Sequence, residues 1–105
     1  MIWVIGGTKD SRDFLEKIVK STTDIIVTTA TEYGGKLLEN LPVKTLCKKL
    51  TYSMMLDFVK ENSINKIVDL SHPYDIEVSQ NAIEVSKELQ IEYFRFEREE
   101  ISFLP

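Results

Sequence analysis

The sequence is short of cysteine, histidine, proline and glycine, and each shortage excludes something. A single cysteine, Cys47, leaves no intrachain disulfide and no multi-cysteine metal site. A single histidine, His72, without a clustered partner makes a poor metal site, so no metal is expected. Three prolines and four glycines fall at punctuation points, so there is no Pro/Gly-rich linker, low-complexity tract or internal repeat. No apolar run exceeds about five residues, against the ~20 that a bilayer requires. Met1 leads straight into Ile2-Trp3-Val4-Ile5 without the basic region of a secretory signal. The expectation is a soluble chain of a reducing compartment, the cytoplasm, with no membrane partner. Basic charge is also scarce. Thirteen Lys and Arg against seventeen Asp and Glu give a net charge of -4, which disfavours nucleic acid as a partner.

What is present is enough for one core. The 105 residues, 43% of them hydrophobic, fit one domain over 1–105. Met1–Ile5 is a continuous apolar run, as in a strand buried on both faces. From about Ser11 the period changes, and Phe14, Leu15, Ile18 and Val19 fall at helical spacing. Asp24–Ala30 is rich in β-branched residues and predicts a second strand. Lys36–Asn40 has room for one or two helical turns, and Val43–Leu46 for a short strand after Pro42. Met54, Met55, Phe58 and Val59 form a second helical stripe, ending near Asn62. Lys66–Leu70 predicts a fourth strand, about Asp75 to Leu89 a helix, and Tyr93–Phe96 the last strand.

Strands alternating with helices predict an α/β fold: a Rossmann-like, doubly wound parallel sheet of about five strands in three αβα layers. Ligands of such sheets lie at the carboxyl ends of the strands. Three loops then share one rim: Gly6–Asp10, Thr31–Gly35 and Ser71–Asp75.

Each loop has a chemical reading beside a structural one. Gly6, Gly7 and Thr8 join a strand to a helix, where backbone N–H groups and the helix dipole suit an anion. Thr8 and Ser11 add hydroxyls, and Lys9 or Arg12 add charge. The run lacks the G-x-G-x-x-G and Walker spacings, so it also fits a tight turn with Ser11 near an N-cap. Thr31, Glu32 and Tyr33 follow the second strand, near where an acid bonds a ribose in dinucleotide folds; a solvated turn fits them as well. His72 is fixed by Pro73, and a neutral imidazole there suits hydrogen bonding or proton transfer near pH 7. An exposed or structural histidine is the alternative. Trp3, Met54, Met55 and Cys47 read as packing, and Glu97, Glu99 and Glu100 as a solvated face.

Taken in order, several segments resemble the precorrin-6A reductase family of cobalamin biosynthesis, its cobalt-precorrin-6A branch included. They are Ile5-Gly6-Gly7-Thr8 with Arg12, Ala30-Thr31-Glu32-Tyr33-Gly34, Val68-Asp69, His72-Pro73-Tyr74, Ser79-Gln80-Asn81-Ala82 and Tyr93-Phe94-Arg95-Phe96-Glu97-Arg98. The chain departs from the family pattern at Leu70, Ser71, Asp75 and Glu99. The resemblance implies reduction of a tetrapyrrole (precorrin-6A) with NADPH or NADH, giving precorrin-6B. It implies cofactor contacts from Gly6, Gly7, Thr8, Ser11, Thr31, Glu32 and Tyr33. It implies macrocycle contacts from Arg12, His72, Tyr74, Ser79 and Asn81, and it names no catalytic residue. Family members are about twice this length, so the resemblance is to an N-terminal half, and the partner expected is a C-terminal domain or separate chain. An isolated chain of this kind is expected to be inactive alone. The competing expectation is a non-catalytic α/β ligand-binding or regulatory module.

Overall fold

The computed structural model describes residues 1–6, 9–30, 35–36, 38–71 and 75–96, with the side chains of 9 and 10 left aside. Eight elements follow one another: β1 (Ile2–Ile5), α1 (Lys9–Ile18), β2 (Ile25–Thr29), β3 (Lys44–Cys47), α2 (Tyr52–Glu61), β4 (Lys66–Asp69), α3 (Ile76–Leu89) and β5 (Glu92–Arg95). The strands form one all-parallel sheet in the order β3-β2-β1-β4-β5. The chain moves outward from β1 to β2 and β3, then crosses back to β4. The order therefore reverses beside β1, as in a doubly wound sheet.

The apolar runs conceal a period of two. Val4, Ile25, Val27 and Val68 point to one face, where Leu15 of α1 and Leu38 close over them. Trp3, Ile5, Ile26 and Ile67 point to the other, against Met55, Phe58 and Val59 of α2 and Ala82 and Val85 of α3. Both faces are covered, which is why the middles of β1, β2 and β4 are apolar on both sides, while polar Thr28, Thr29 and Asp69 come only at the carboxyl ends of β2 and β4. The Trp3 and Phe58 rings meet edge to face at 5.1 Å. β3 lies at one border of the sheet with all four residues exposed. Cys47 is on that border and exposed, so it fills no part of the core.

Local chemistry sets the ends of the helices. The Thr51 hydroxyl accepts from the Met54 N–H and caps α2. α3 ends at Gln90, whose φ of 55° is left-handed and whose N–H returns to the Ser86 carbonyl. α1 begins at Lys9, earlier than its apolar spacing suggests, so Ser11 lies inside the first turn and is not an N-cap. Its burial is complete. Small shifts of the same kind move β3 to 44–47 and β5 to 92–95.

Candidate functional site

At the carboxyl ends of β1, β2 and β4 lies a cleft of about 180 Å³, on the face that carries α2 and α3. Trp3, Ile5, Leu50, Met55 and Val78 make its apolar floor and sides. Gly6, Thr28, Thr29, Ser71, Asp75, Lys48 and Lys49 supply its polar border. The sequence builds the floor through parity: Trp3, Ile5 and Thr28 fall on the same face of adjacent strands. The Trp3 indole N–H donates to the Thr28 hydroxyl at 2.9 Å, which satisfies the one polar atom of this buried ring.

Gly6 marks the place where strand β1 becomes the turn into α1. A Cβ there would meet Val27 Cγ1 at 3.1 Å and Ser11 Oγ at 3.3 Å. Both neighbours are buried, so a side chain here would have to push one of them by a few tenths of an ångström, and glycine suits the close approach of helix to strand. Its amide is bonded to the Thr28 carbonyl at 2.9 Å. Ser11 is thus a packing neighbour of the turn as well as a candidate hydroxyl.

Beside the cleft, and sharing Ser71 with it, lies a buried polar cluster centred on Asp69. Asp69 ends β4 with none of its surface exposed. Its Oδ1 accepts from the Ser71 backbone N–H at 2.9 Å and from the Ser71 hydroxyl at 2.6 Å. Its Oδ2 accepts from the Ser79 hydroxyl and from the Tyr93 phenol, each at 2.6 Å. Arg95 approaches Oδ1 at 3.1 Å and also donates to Ser71 Oγ and Ser79 Oγ. Strand register explains the meeting, since Asp69 lies opposite Arg95, and Tyr93, two residues earlier, shares that face. Burial pushes the Asp69 carboxyl upward, but the hydrogen bonds from Ser71, Ser79 and Tyr93 outweigh it and hold the group below the usual aspartate value. The same burial, with the adjacent carboxylate, raises the Tyr93 phenol well above its ordinary value. At neutral pH the cluster therefore holds a charged Asp69 and a protonated Tyr93.

The residues expected from sequence separate here. Gly6 borders the cleft. Ser79 lies in the Asp69 cluster, one turn into α3. Asn81 is half-buried and about 200° further round the same helix, so the two side chains do not share a direction. Arg12 lies on the α1 face, where its guanidinium donates to the Glu39 carbonyl at 3.0 Å and approaches Glu16 at 3.5 Å. Gly7, Thr8, Thr31, Glu32, Tyr33, His72 and Tyr74 lie outside the described residues, as do Glu97, Glu99 and Glu100. Among the described residues no group of three His, Cys, Asp or Glu is placed to hold a metal, and no helix is long and apolar enough to cross a membrane.

Sequence reasoning gave no site role to Asp69, Ser71, Tyr93 or Arg95. One signal was available. A carboxylate at the end of a buried strand needs partners, and the alternation Tyr93-x-Arg95 supplies two on one face. Lys48 and Lys49 were missed too, because a lysine pair after a border strand looks like ordinary surface.

The whole chain, residues 1–105, matches the family described as precorrin-6x reductase CbiJ/CobK. A cobalt-precorrin-6A reductase of Methanocaldococcus jannaschii is 42% identical over 99 residues, covering 92% of this chain and 39% of the relative. One from Priestia megaterium is 36% identical over 103 residues, covering 98% and 40%. The chain thus spans about two-fifths of the length of these curated relatives. A solved structure titled CobK precorrin-6A reductase superposes with a TM-score of 0.79 at 17% identity, over 92% of this chain and 37% of that one. At that identity the match speaks for the fold alone.

Proposed function

The chain belongs to the precorrin-6x reductase CbiJ/CobK family, and on that premise we propose that it is the N-terminal domain of a nicotinamide-dependent reductase. Its substrate in this reading is the precorrin-6A macrocycle, with or without cobalt, and its product the dihydro ring of precorrin-6B. The observation that carries the reading is the position of the cleft. It opens at the carboxyl ends of β1, β2 and β4, beside the strand-order reversal, where α/β sheets bind their ligands.

The residues present suit a nicotinamide nucleotide. An apolar floor with hydroxyls and lysines at its border has the donor set for an uncharged ring joined to anionic groups. Gly7 and Thr8 would receive phosphate at the turn into α1, with Gly6 and the buried Ser11 setting the path of that turn, and Thr31, Glu32 and Tyr33 would line the ribose side. Bound there, NADPH or NADH supplies the hydride. The protein's part is to orient cofactor against ring and to keep water from the reacting atoms. Ser71, fixed by Asp69 at two of its atoms, gives the cleft wall a hydroxyl that does not swing. Arg12, His72, Tyr74, Ser79 and Asn81 are the proposed contacts to the carboxylate-bearing macrocycle.

Size argues that this chain forms only part of the pocket. Ligand sites for drug-sized molecules occupy roughly 300–1,000 Å³, and about 180 Å³ takes one ring or one arm of such a ligand. The remainder of the wall would come from the part that completes the relatives, in the same chain or a separate one. Without it, positioning is incomplete and turnover is expected to be absent. A reductase of this type works where its nicotinamide pool is, so the proposed location is the cytoplasm.

The test is complementation. The chain is mixed with the C-terminal portion of the Methanocaldococcus jannaschii relative, NADPH or NADH, and precorrin-6A in metal-free and cobalt forms. Loss of reduced-nicotinamide absorbance that requires both protein parts is the expected result. Saturable binding without turnover in every combination would instead favour a ligand-binding module.

A further inference from the structure

The acidic chain concentrates positive charge in one stretch. Residues 36–49 hold four lysines and one glutamate, a local net of +3 in a chain of net -4. Two of these lysines, Lys48 and Lys49, border the cleft. Neither pairs with a carboxylate among the described residues. The backbone that carries them is nevertheless anchored on both sides. The Lys48 N–H bonds to the Thr29 carbonyl at 2.9 Å, Leu50 is buried in the floor, and Thr51 caps α2. Two exposed lysines are thus carried to the edge of an apolar recess by an anchored backbone. Across the recess stands Asp75, a carboxylate that limits where a second negative charge can settle.

We infer that Lys48 and Lys49 form an anion subsite of the cleft, taking a phosphate or carboxylate group of the molecule whose ring lies over Trp3. The inference rests on the proposal that this cleft receives the ligand, and it adds which border of the cleft bears the charge recognition. The anion has two possible sources: a phosphate of the nicotinamide nucleotide or a side-chain carboxylate of the macrocycle. The shared chemistry is a charge-assisted contact to an ammonium at the mouth of a partly dry site.

Titration followed by NMR separates the outcomes, because the Trp3 indole N–H reports occupancy of the floor without belonging to the subsite. The chain is titrated with NADP⁺, NAD⁺ and uroporphyrin, as wild type and as K48A/K49A. A K48R/K49R variant tests rescue by charge. The inference expects the indole signal to move on binding and the apparent Kd to rise by about tenfold in the alanine variant, with recovery in the arginine variant. A loss confined to NADP⁺ identifies the 2′-phosphate as the source. A loss for both nucleotides points to the pyrophosphate, and a loss for uroporphyrin alone to a carboxylate. Equal Kd values in wild type and alanine variant for every probe, with the indole signal still moving, overturn the subsite and leave the ligand cleft standing. An indole signal unmoved by any probe overturns both.

Discussion

Asp69 and Arg95 stand directly opposite each other at the carboxyl ends of neighbouring parallel strands, and their charges meet at 3.1 Å. The carboxylate is wholly buried, while the arginine keeps 22% of its side-chain surface exposed. The pair does more than join two strands. Through Ser71 it reaches the cleft wall, and through Ser79 it reaches the first turns of α3. One buried ion therefore ties together β4, β5, α3 and the border of the site.

Removing the charge at the centre has a predictable cost. Asp69→Asn keeps the shape but removes the negative charge facing Arg95 at 3.1 Å and sets an amide donor against the hydroxyl donors around it. The expected loss is about 2–3 kcal/mol, at the lower end for a broken buried pair because Arg95 is partly hydrated. Urea unfolding of the two proteins measures it. The pH dependence follows from the lowered carboxyl value. The unfolded aspartate titrates at about 3.8, and the folded one lower. The stabilisation is therefore complete above about pH 4 and is lost as pH falls through the folded value. The acid limb of stability against pH should be shallower in Asp69→Asn, and an unchanged limb would contradict the assignment.

Tyr93 gives the opposite limb. Its phenol is raised in the folded chain, so above about pH 10 the unfolded state loses a proton that the folded state retains. Stability supplied by this group is full below that pH and declines above it. Tyr93→Phe should flatten the alkaline decline, at a cost near neutrality of about 1 kcal/mol for the lost bond to Asp69. Stopped-flow unfolding across the alkaline range, short enough to avoid chemical damage, distinguishes the two proteins.

The layered sheet was legible in the sequence because burial on both faces writes itself as short runs in which consecutive residues are apolar or β-branched. Met1–Ile5, Asp24–Ala30 and Lys66–Leu70 each contain the strand found there. The rim of strand carboxyl ends was legible for the same reason, since the alternation of elements fixes it. The Asp69 cluster was not, because its members are 26 residues apart in the chain at the extremes and become neighbours only through the register of β4 with β5. Ser79 was singled out for a ligand, and a hydroxyl on a helix does not declare in sequence that its proton goes to a carboxylate beneath it. Ser11 raised the same difficulty: its spacing after Gly6 suits an N-cap, while a helix starting at Lys9 turns it inward.

Gly6 provides a test of packing free of backbone strain. Gly6→Ala brings a methyl within 3.1 Å of Val27 Cγ1 and 3.3 Å of Ser11 Oγ, and both residues are fixed in the core. The overpacking should cost about 1–2 kcal/mol. Val27→Ala on the same background removes the nearer clash. The double variant should then lose less than the sum of the two single changes, by about 0.5 kcal/mol or more, as contacting sites do. Strict additivity in thermal or urea unfolding would show that the turn relaxes without Val27.

Ser79 and Asn81 should separate fold from ligand, because one helix points them in directions about 200° apart. Ser79→Ala removes a donor from Asp69 Oδ2 and an acceptor from Arg95, leaving Tyr93 alone on that oxygen. It should lower stability by about 1–2 kcal/mol and shift the acid limb, since one of the bonds that lowers the Asp69 carboxyl is gone. Asn81→Ala takes nothing from the cluster and should leave stability within about 0.5 kcal/mol of the parent. If Asn81 contacts the macrocycle, its loss weakens uroporphyrin binding at unchanged stability, whereas Ser79→Ala weakens both together. Binding and unfolding measured on the same two variants decide the matter: unimpaired binding in Asn81→Ala removes that residue from the proposed contacts, and Ser79→Ala with a parental acid limb would mean that its hydroxyl is not what steadies Asp69.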